Sequence, residues 1–216
     1  SFPTRRSSEL VTGATVAQRL GLRGLSVSVA ELACDKLAMK ECLRRAGINV
    51  PWFASVDTPQ QLQRIAIGRG HDLVIKPVDS RGSRGVQRIA QVEDLTKAFL
   101  LARSHSPSER VMVEQYLAGP QVSTESVLMG GRCFTPGFSD RNYEYLDRYA
   151  PFFIENGGDL PSHLPEHTQS KVRDLVARAA HAMGITDGTV KGDIVVHDGE
   201  PYVIELAARL SGGFFC

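Results

Sequence analysis

The sequence predicts an α+β protein of two α/β lobes with mixed or antiparallel sheets. Three observations carry that prediction. Short apolar, β-branched runs such as LVIK at 73–76 and VMV at 111–113 alternate with longer segments whose apolar residues recur at helical spacing. Two hairpin signals, Gly130-Gly131 and His197-Asp198-Gly199, sit between strand-like segments and make their neighbours antiparallel. The composition, 42% hydrophobic and 23% charged over 216 residues, is that of a folded globular chain.

Charge and targeting exclude several classes of function. The chain has 25 Lys+Arg against 24 Asp+Glu, a formal net charge of +1. Nothing in that balance attracts nucleic acid or an anionic membrane. No stretch reaches the roughly 18 apolar residues of a membrane helix and no secretory signal is visible, so the expected location is cytoplasmic. Cys34, Cys42, Cys133 and Cys216 form no C-x-x-C pair and read as reduced thiols without metal. The opening SFPTRRSSEL lacks apolar periodicity and resembles an adaptor-derived or cloning scar. Residues 1–34 are expected to be that scar and the remnant or linker of a preceding domain. Residues 35–113 form a first lobe and 114–216 a second, which stops soon after its last hairpin and so reads as truncated.

In chain order, residues 11–20 give a short helical pattern and 22–30 a connector. Asp35 caps a helix to Ala46 whose stripe is Met39, Cys42, Leu43 and Ala46, with Gly47 as its stop. Residues 53–56 are a short strand. Thr58-Pro59-Gln60-Gln61 is a capping box with proline at the first helical position, opening a helix to about Ile67. Residues 73–76 form a buried strand, 78–85 a glycine-containing loop, 86–90 a strand and 92–104 a helix. Residues 111–114 are another apolar strand, and 121–128 alternate as a half-exposed one. Residues 143–165, aromatic and proline-dotted, read as a long active-site loop. Val172, Leu175, Val176, Ala179, Ala180 and Met183 mark a helix ended by Gly184, and 189–196 pair with 201–206.

Chemistry concentrates in two places. Asp193 and Glu205 lie on the two strands of the last hairpin, and side-chain alternation decides whether they share a face. A two-residue loop would separate them. A three-residue loop, His197-Asp198-Gly199, would set residues 193 and 203 opposite and Glu205 one diagonal away on the same face. Two such carboxylates suit Mg²⁺ holding phosphate oxygens, with Arg209 near the same anion; a solvated hairpin face explains the spacing equally well. Lys76 ends a buried strand just before the small-residue loop DSRGSRG, a geometry able to bind an anion, although a plain turn fits too. Lys36 alone says little, since helices often carry a snorkelling lysine.

Taken together, DKLAMK at 35–40, VIKPVDSRGSRGV at 74–86, EQYLAGPQVSTE at 114–125 and KGDIVVHDGEPYVIELAARLSGG at 191–213 resemble the ATP-grasp superfamily, over about residues 22–213. The similarity is greatest to its carboxylate–amine ligase branch, which includes L-amino-acid ligases and carbamoyl-phosphate synthase-like proteins. The resemblance implies two lobes gripping ATP between them, with Mg²⁺ or Mn²⁺. It implies that Lys36 and Lys76 contact phosphates and that Ser80, Gly82, Ser83 and Gly85 form a loop closing over them. Glu114, Gln115, Tyr116 and Leu117 would hold adenine, largely through backbone groups. Asp193 and Glu205 would bind the metal, and Arg209 would sit near the transferred phosphate. Gln121 stands where an acidic residue commonly holds the ribose, and Ala207 where many members place a metal-binding asparagine.

The activity so implied is phosphorylation of a carboxylate to an acyl phosphate, followed by attack of an amine. Lys191, two residues from Asp193, reaches substrate or phosphate or is structural; Glu125 assists the metal, orients substrate or is a surface glutamate. Arg141 holds a substrate carboxylate or pairs with Asp140. The partners are a small-molecule carboxylate and amine, with a homodimer open and no nucleic acid or membrane. Alternatives are a bicarbonate-phosphorylating, carboxylase-type activity and an ATP-binding module without turnover.

Overall fold

The computed structural model describes residues 7–70 and 72–211. Their backbone divides into two compact units with separate cores. One contains the described residues up to Val50, Ala118–Arg141 and those from Gly158 onward; the other contains Pro51–Leu117 and Asn142–Gly157. The fold is α+β, as expected, but the units do not follow the contiguous division 35–113 and 114–216. Strand pairing, not chain order, assigns each segment.

The smaller unit is a four-stranded antiparallel sheet, ordered β1 (Phe53–Val56), β4 (Val111–Gln115), β2 (Leu73–Pro77), β3 (Gln87–Arg88). Two helices accompany it, α4 (Pro59–Arg69) and α5 (Leu95–Ser104). The local signals for α4 operate as read: the Thr58 hydroxyl accepts from the Gln61 N–H at 3.2 Å, and Pro59 opens the helix. The strand expected over 86–90 shortens to two residues because Ile89–Gln91 coil into a 3₁₀ turn. Asp94 caps α5 through the Thr96 and Lys97 amides.

The larger unit is built on a five-stranded antiparallel sheet, ordered β7 (Gly157–Asp159), β6 (Arg132–Asn142), β5 (Gln121–Met129), β8 (Gly188–His197), β9 (Glu200–Ala207). Helix α6 (Glu166–Ala182) packs on one face through Val172, Leu175, Val176, Ala179 and Ala180. Gly192 belongs to this face: a Cβ there would stand 2.7 Å from the Thr124 Oγ1 and 3.2 Å from Val176. Helix α3 (Lys36–Arg45) starts where Asp35 accepts the Ala38 N–H at 2.8 Å, and it buries Met39, Lys40 and Leu43.

Residues expected to be remnant or linker belong to this unit. Helices α1 (Ser7–Arg19) and α2 (Val27–Cys34) put Leu10, Ala14 and Ala30 into its core. The segment 7–34 is thus largely helical and packs on this unit where a bare connector would not; residues 1–6 lie outside the described residues. Strand β5 is not half-exposed: Val122 through Ser126 are buried, so the strand is covered on both faces although one is polar. Cys34, Cys42 and Cys133 are reduced thiols; Cys216 lies outside the described residues. No described helix is long and apolar enough to cross a membrane.

Candidate functional site

Alternation along β5, β6, β8 and β9 sends one residue set to the α6 core and the other to the opposite face. Strand register aligns the second set in two rows. The first row runs Ser139, Ser123, Asp193, Glu205; the second runs Gly137, Glu125, Lys191, Ala207. Four of these eight residues are ionisable, the composition of a site and not of a core.

Asp193 and Glu205 face each other directly, but not by the expected route. Asp198 and Gly199 have φ of 51° and 79°, the left-handed pair of a two-residue hairpin loop. The ladder runs His197 with Glu200 through Ile194 with Val203, a phase that would send Glu205 to the core face opposite Gly192. A bulge then inserts Ile204, and the pairing resumes with Asp193 opposite Glu205. The three-residue loop is therefore corrected to a two-residue loop plus one extra residue, and the diagonal relation to a direct one.

Asp193 is the most heavily engaged group. Lys191 Nζ donates to both its oxygens at 2.6 and 2.7 Å, Arg141 Nη1 lies 3.2 Å away, and the Ser123 hydroxyl donates at 3.3 Å. Burial pushes its carboxyl up, but Lys191, Arg141 and the hydrogen bonds of Lys191 and Ser123 outweigh burial and hold it at about 2. Asp193 is thus an anion with a cationic collar. Glu205 is more open, and Lys36 at the start of α3 places Nζ 3.7 Å from its Oε1.

Glu125 answers differently to the same surroundings. It is 6% exposed, and its Oε1 accepts the Ser211 N–H at 2.8 Å. Burial raises its pKa most; hydrogen bonds from Ser211 and the charge of Lys191 oppose the rise, and the charge of Asp193 adds to it. The surface-glutamate alternative is thereby excluded. Arg209 follows β9 and donates to the Leu210 carbonyl at 2.8 Å, and Gln121 lies opposite Val195 on the same sheet face as Ser123.

The smaller unit holds the other expected residues. Lys76 at the end of β2 is buried in an ion pair with Glu114 on β4. After β2, Asp79 anchors the loop by accepting from the Ser106 hydroxyl at 2.5 Å and the Ser108 N–H at 3.1 Å. Gly82, Ser83 and Gly85 all have positive φ, which turns the loop that also contains Ser80. At Gly85 a Cβ would lie 3.1 Å from both His105 and Pro77, so packing as well as φ requires glycine there. The N–H groups of Gln115 and Tyr116 are already bonded, to the Trp52 and Asp72 carbonyls at 2.8 and 3.0 Å. The Tyr116 ring lies under the Arg88 guanidinium, 3.9 Å from its centroid.

The structure therefore gathers Lys36, Gln121, Glu125, Lys191, Asp193 and Glu205 in one unit, and Lys76, the 80–85 loop and 114–117 in the other. Sequence reasoning missed Ser123 and the pairing of Arg141 with Asp193. Arg141 lies against Asp193, and the Asp140 carboxylate accepts from the Ser162 hydroxyl and the His163 N–H. The parity shared by Gln121, Ser123 and Glu125 was the available signal.

Two facing carboxylates offer hard oxygen donors, the chemistry that Mg²⁺ or Mn²⁺ takes. Among the described residues no group of three or more His, Cys, Asp or Glu side chains could hold a metal ion. Ala207, across from Lys191, adds no donor. A cation held by this pair would take its remaining ligands from phosphate and water.

A family model described as an ATP-grasp domain matches residues 33–213, and the chain belongs to that family. It is 28% identical over 201 residues to the uncharacterized protein y4rH of Sinorhizobium fredii, covering 91% of this chain and 40% of that protein. It is 27% identical over 191 residues to the D-alanine–D-alanine ligase of Desulforudis audaxviator, covering 85% and 60%. Among solved structures, the L-amino acid ligase from Bacillus licheniformis superposes with a TM-score of 0.81 at 27% identity, covering 97% of this chain and 48% of that one. The biotin carboxylase of Campylobacter jejuni shares the fold, with a TM-score of 0.79 at 22% identity over 94% of this chain and 47% of its own. The chain thus spans about half the length of the proteins it matches.

Proposed function

We propose that this chain is the nucleotide-binding and catalytic part of an ATP-dependent ligase that phosphorylates a small-molecule carboxylate and passes the acyl group to an amine. The observation that carries this reading is the row Ser123, Asp193, Glu205 with Lys36, Lys191 and Arg141 around it, in a family member related to D-alanine–D-alanine and L-amino acid ligases. Asp193 and Glu205 would hold Mg²⁺ or Mn²⁺, which when bound neutralises phosphate charge.

The residues divide the work. Lys36 and Lys76 bind phosphate oxygens of ATP, and Arg209 lies by the transferred phosphoryl group. The carboxylate oxygen attacks the γ-phosphorus and ADP leaves. The amine then attacks the acyl carbon, a C–N bond forms, and the C–O bond to phosphate breaks. Catalysis of this kind is positional and electrostatic, and no side-chain nucleophile is required. The loop at Ser80, Gly82, Ser83 and Gly85 excludes water from the acyl phosphate. Adenine is read by groups of Glu114, Gln115, Tyr116 and Leu117 other than the bonded N–H groups of Gln115 and Tyr116, and Gln121 meets the ribose. Lys191 and Glu125 flank the reacting centre.

Ala207 favours a second reading, an ATP-binding module without turnover. One experiment separates the two. Thermal melts with Mg²⁺-ATP, Mg²⁺-GTP and Mg²⁺ alone, beside a Lys76→Ala, Glu205→Ala double variant, test nucleotide binding. ADP release is then screened with pooled amino acids and with bicarbonate. An ATP-specific shift with amino-acid-dependent ADP release supports the ligase. A shift with no ADP release from any set supports the binding module, and no shift from a cooperatively folded chain overturns both.

A further inference from the structure

We infer that Lys40 is a positioning residue for Glu205: from inside helix α3 it holds the bulge in β9 that turns Glu205 toward Asp193. The inference rests on the proposed role of Glu205 as a metal-binding carboxylate.

Strand β9 is the outer edge of its sheet, so its outward backbone groups must find partners elsewhere. At Val203, where the ladder is still in the phase set by the turn, the N–H donates to the Asn49 carbonyl at 2.9 Å and the carbonyl accepts from Lys40 Nζ at 3.2 Å. At Leu206, beyond the bulge, the N–H lies 3.3 Å from the Met39 Sδ. In a regular strand, outward groups recur every second residue. Val203 and Leu206 are three apart, and that odd spacing is the imprint of the extra residue, Ile204. Met39, Lys40 and Asn49, on α3 and the segment just after it, meet the edge on both sides of the bulge and therefore read the shifted phase. A regular edge would place the Leu206 N–H toward β8 and Glu205 toward the core.

Lys40 is the costly part of this clamp. It is 0% exposed, and an ammonium out of water is retained only where it is bonded. A methionine would fill similar volume without that cost, so packing alone does not account for a lysine. One helical turn earlier, Lys36 reaches the Glu205 carboxylate itself. The same stripe of α3 thus fixes the backbone before Glu205 and meets its charge.

The test is Lys40→Met in the full chain, read by Mn²⁺ titration in the presence of ATP and by amide hydrogen exchange of residues 203–206 without metal. Expected are exchange at 203–206 faster by about tenfold or more and Mn²⁺ affinity lower by roughly 10–100-fold, the range for residues that orient a metal ligand. Deleting Ile204 lets a regular ladder carry Glu205 opposite Asp193, so Lys40→Met in that background should cost little further affinity. A folded Lys40→Met protein with wild-type Mn²⁺ affinity and wild-type exchange overturns the inference. If wild type itself binds no Mn²⁺ with ATP, the metal reading of Glu205 fails, and the exchange data still decide whether Lys40 holds the bulge. Should Lys40→Met fail to fold, recovery in the Ile204-deleted background supports the inference; failure there, with the deletion alone folded, overturns it.

Discussion

Lys191 spends both short hydrogen bonds on Asp193, two residues along its own strand, although its cross-strand neighbour is the buried carboxyl of Glu125. The two acids consequently part company. Asp193 is held ionised and Glu125 is pushed toward its neutral form. A site with one firm anion and one reluctant one is a common arrangement for chemistry that binds cations and moves protons.

Asp193 and Glu205 should respond differently to neutralisation. Asp193→Asn leaves Lys191 and Arg141 around a neutral amide and should cost about 3–5 kcal/mol, as for a broken buried ion pair. Glu205→Gln, at a side chain 33% exposed, should change stability by about 1 kcal/mol or less. Both should abolish metal-dependent nucleotide binding. Denaturant unfolding, beside thermal shift with Mg²⁺-ATP, separates the two effects.

The depressed pKa of Asp193 sets an acid limit. Its folded value of about 2 lies below the ordinary 3.8 of an aspartate, so its stabilisation is complete above about pH 5. That contribution, about 2 kcal/mol, is lost as the pH falls through 4 toward 2. Urea unfolding of wild type between pH 5 and 2.5 should show this loss, and Asp193→Asn should flatten it.

Glu125 has the opposite sign. Its folded pKa is raised, so its ionised form destabilises the fold at neutral pH and the penalty is relieved as the pH falls through the folded pKa. Glu125→Gln should therefore melt at a higher temperature than wild type at pH 7.5. The difference should close in acid. A Gln variant less stable than wild type at pH 7.5 would contradict this account.

Lys76 and Glu114 form a buried pair, and neither is easily removed alone. Lys76→Met should destabilise by about 3–5 kcal/mol, whereas Lys76→Met with Glu114→Leu should recover most of it, because two apolar side chains replace two desolvated charges. Neither variant should bind ATP. A double-mutant cycle by denaturant unfolding measures the coupling.

Asp35 as a cap, the Thr58-Pro59 helix start, the buried β2 strand and the pairing of β8 with β9 were all legible from sequence. Each depends on residues close together in the chain, where capping, φ restriction and alternation act locally. Lys36, Lys76, Asp193 and Glu205 were legible as chemistry by residue type and motif order. Three things were not. Leu10 read as part of a scar and Ala14 as part of a short helix outside the lobes, because helix α1 finds its apolar partners far along the chain. Lys40 drew no reading of its own because the Val203 carbonyl to which it donates is 163 residues away.

The face on which Glu205 lies was the third. By itself the sequence determined that two carboxylates would occupy one antiparallel hairpin, and that a capped helix elsewhere in the chain would carry lysines, since turn chemistry, capping and strand alternation are properties of neighbours. Only the tertiary structure decided that the two carboxylates meet. The Asp198-Gly199 turn alone would bury Glu205, and the bulge that rescues it is flanked by contacts from Met39, Lys40 and Asn49, which lie far away in the chain.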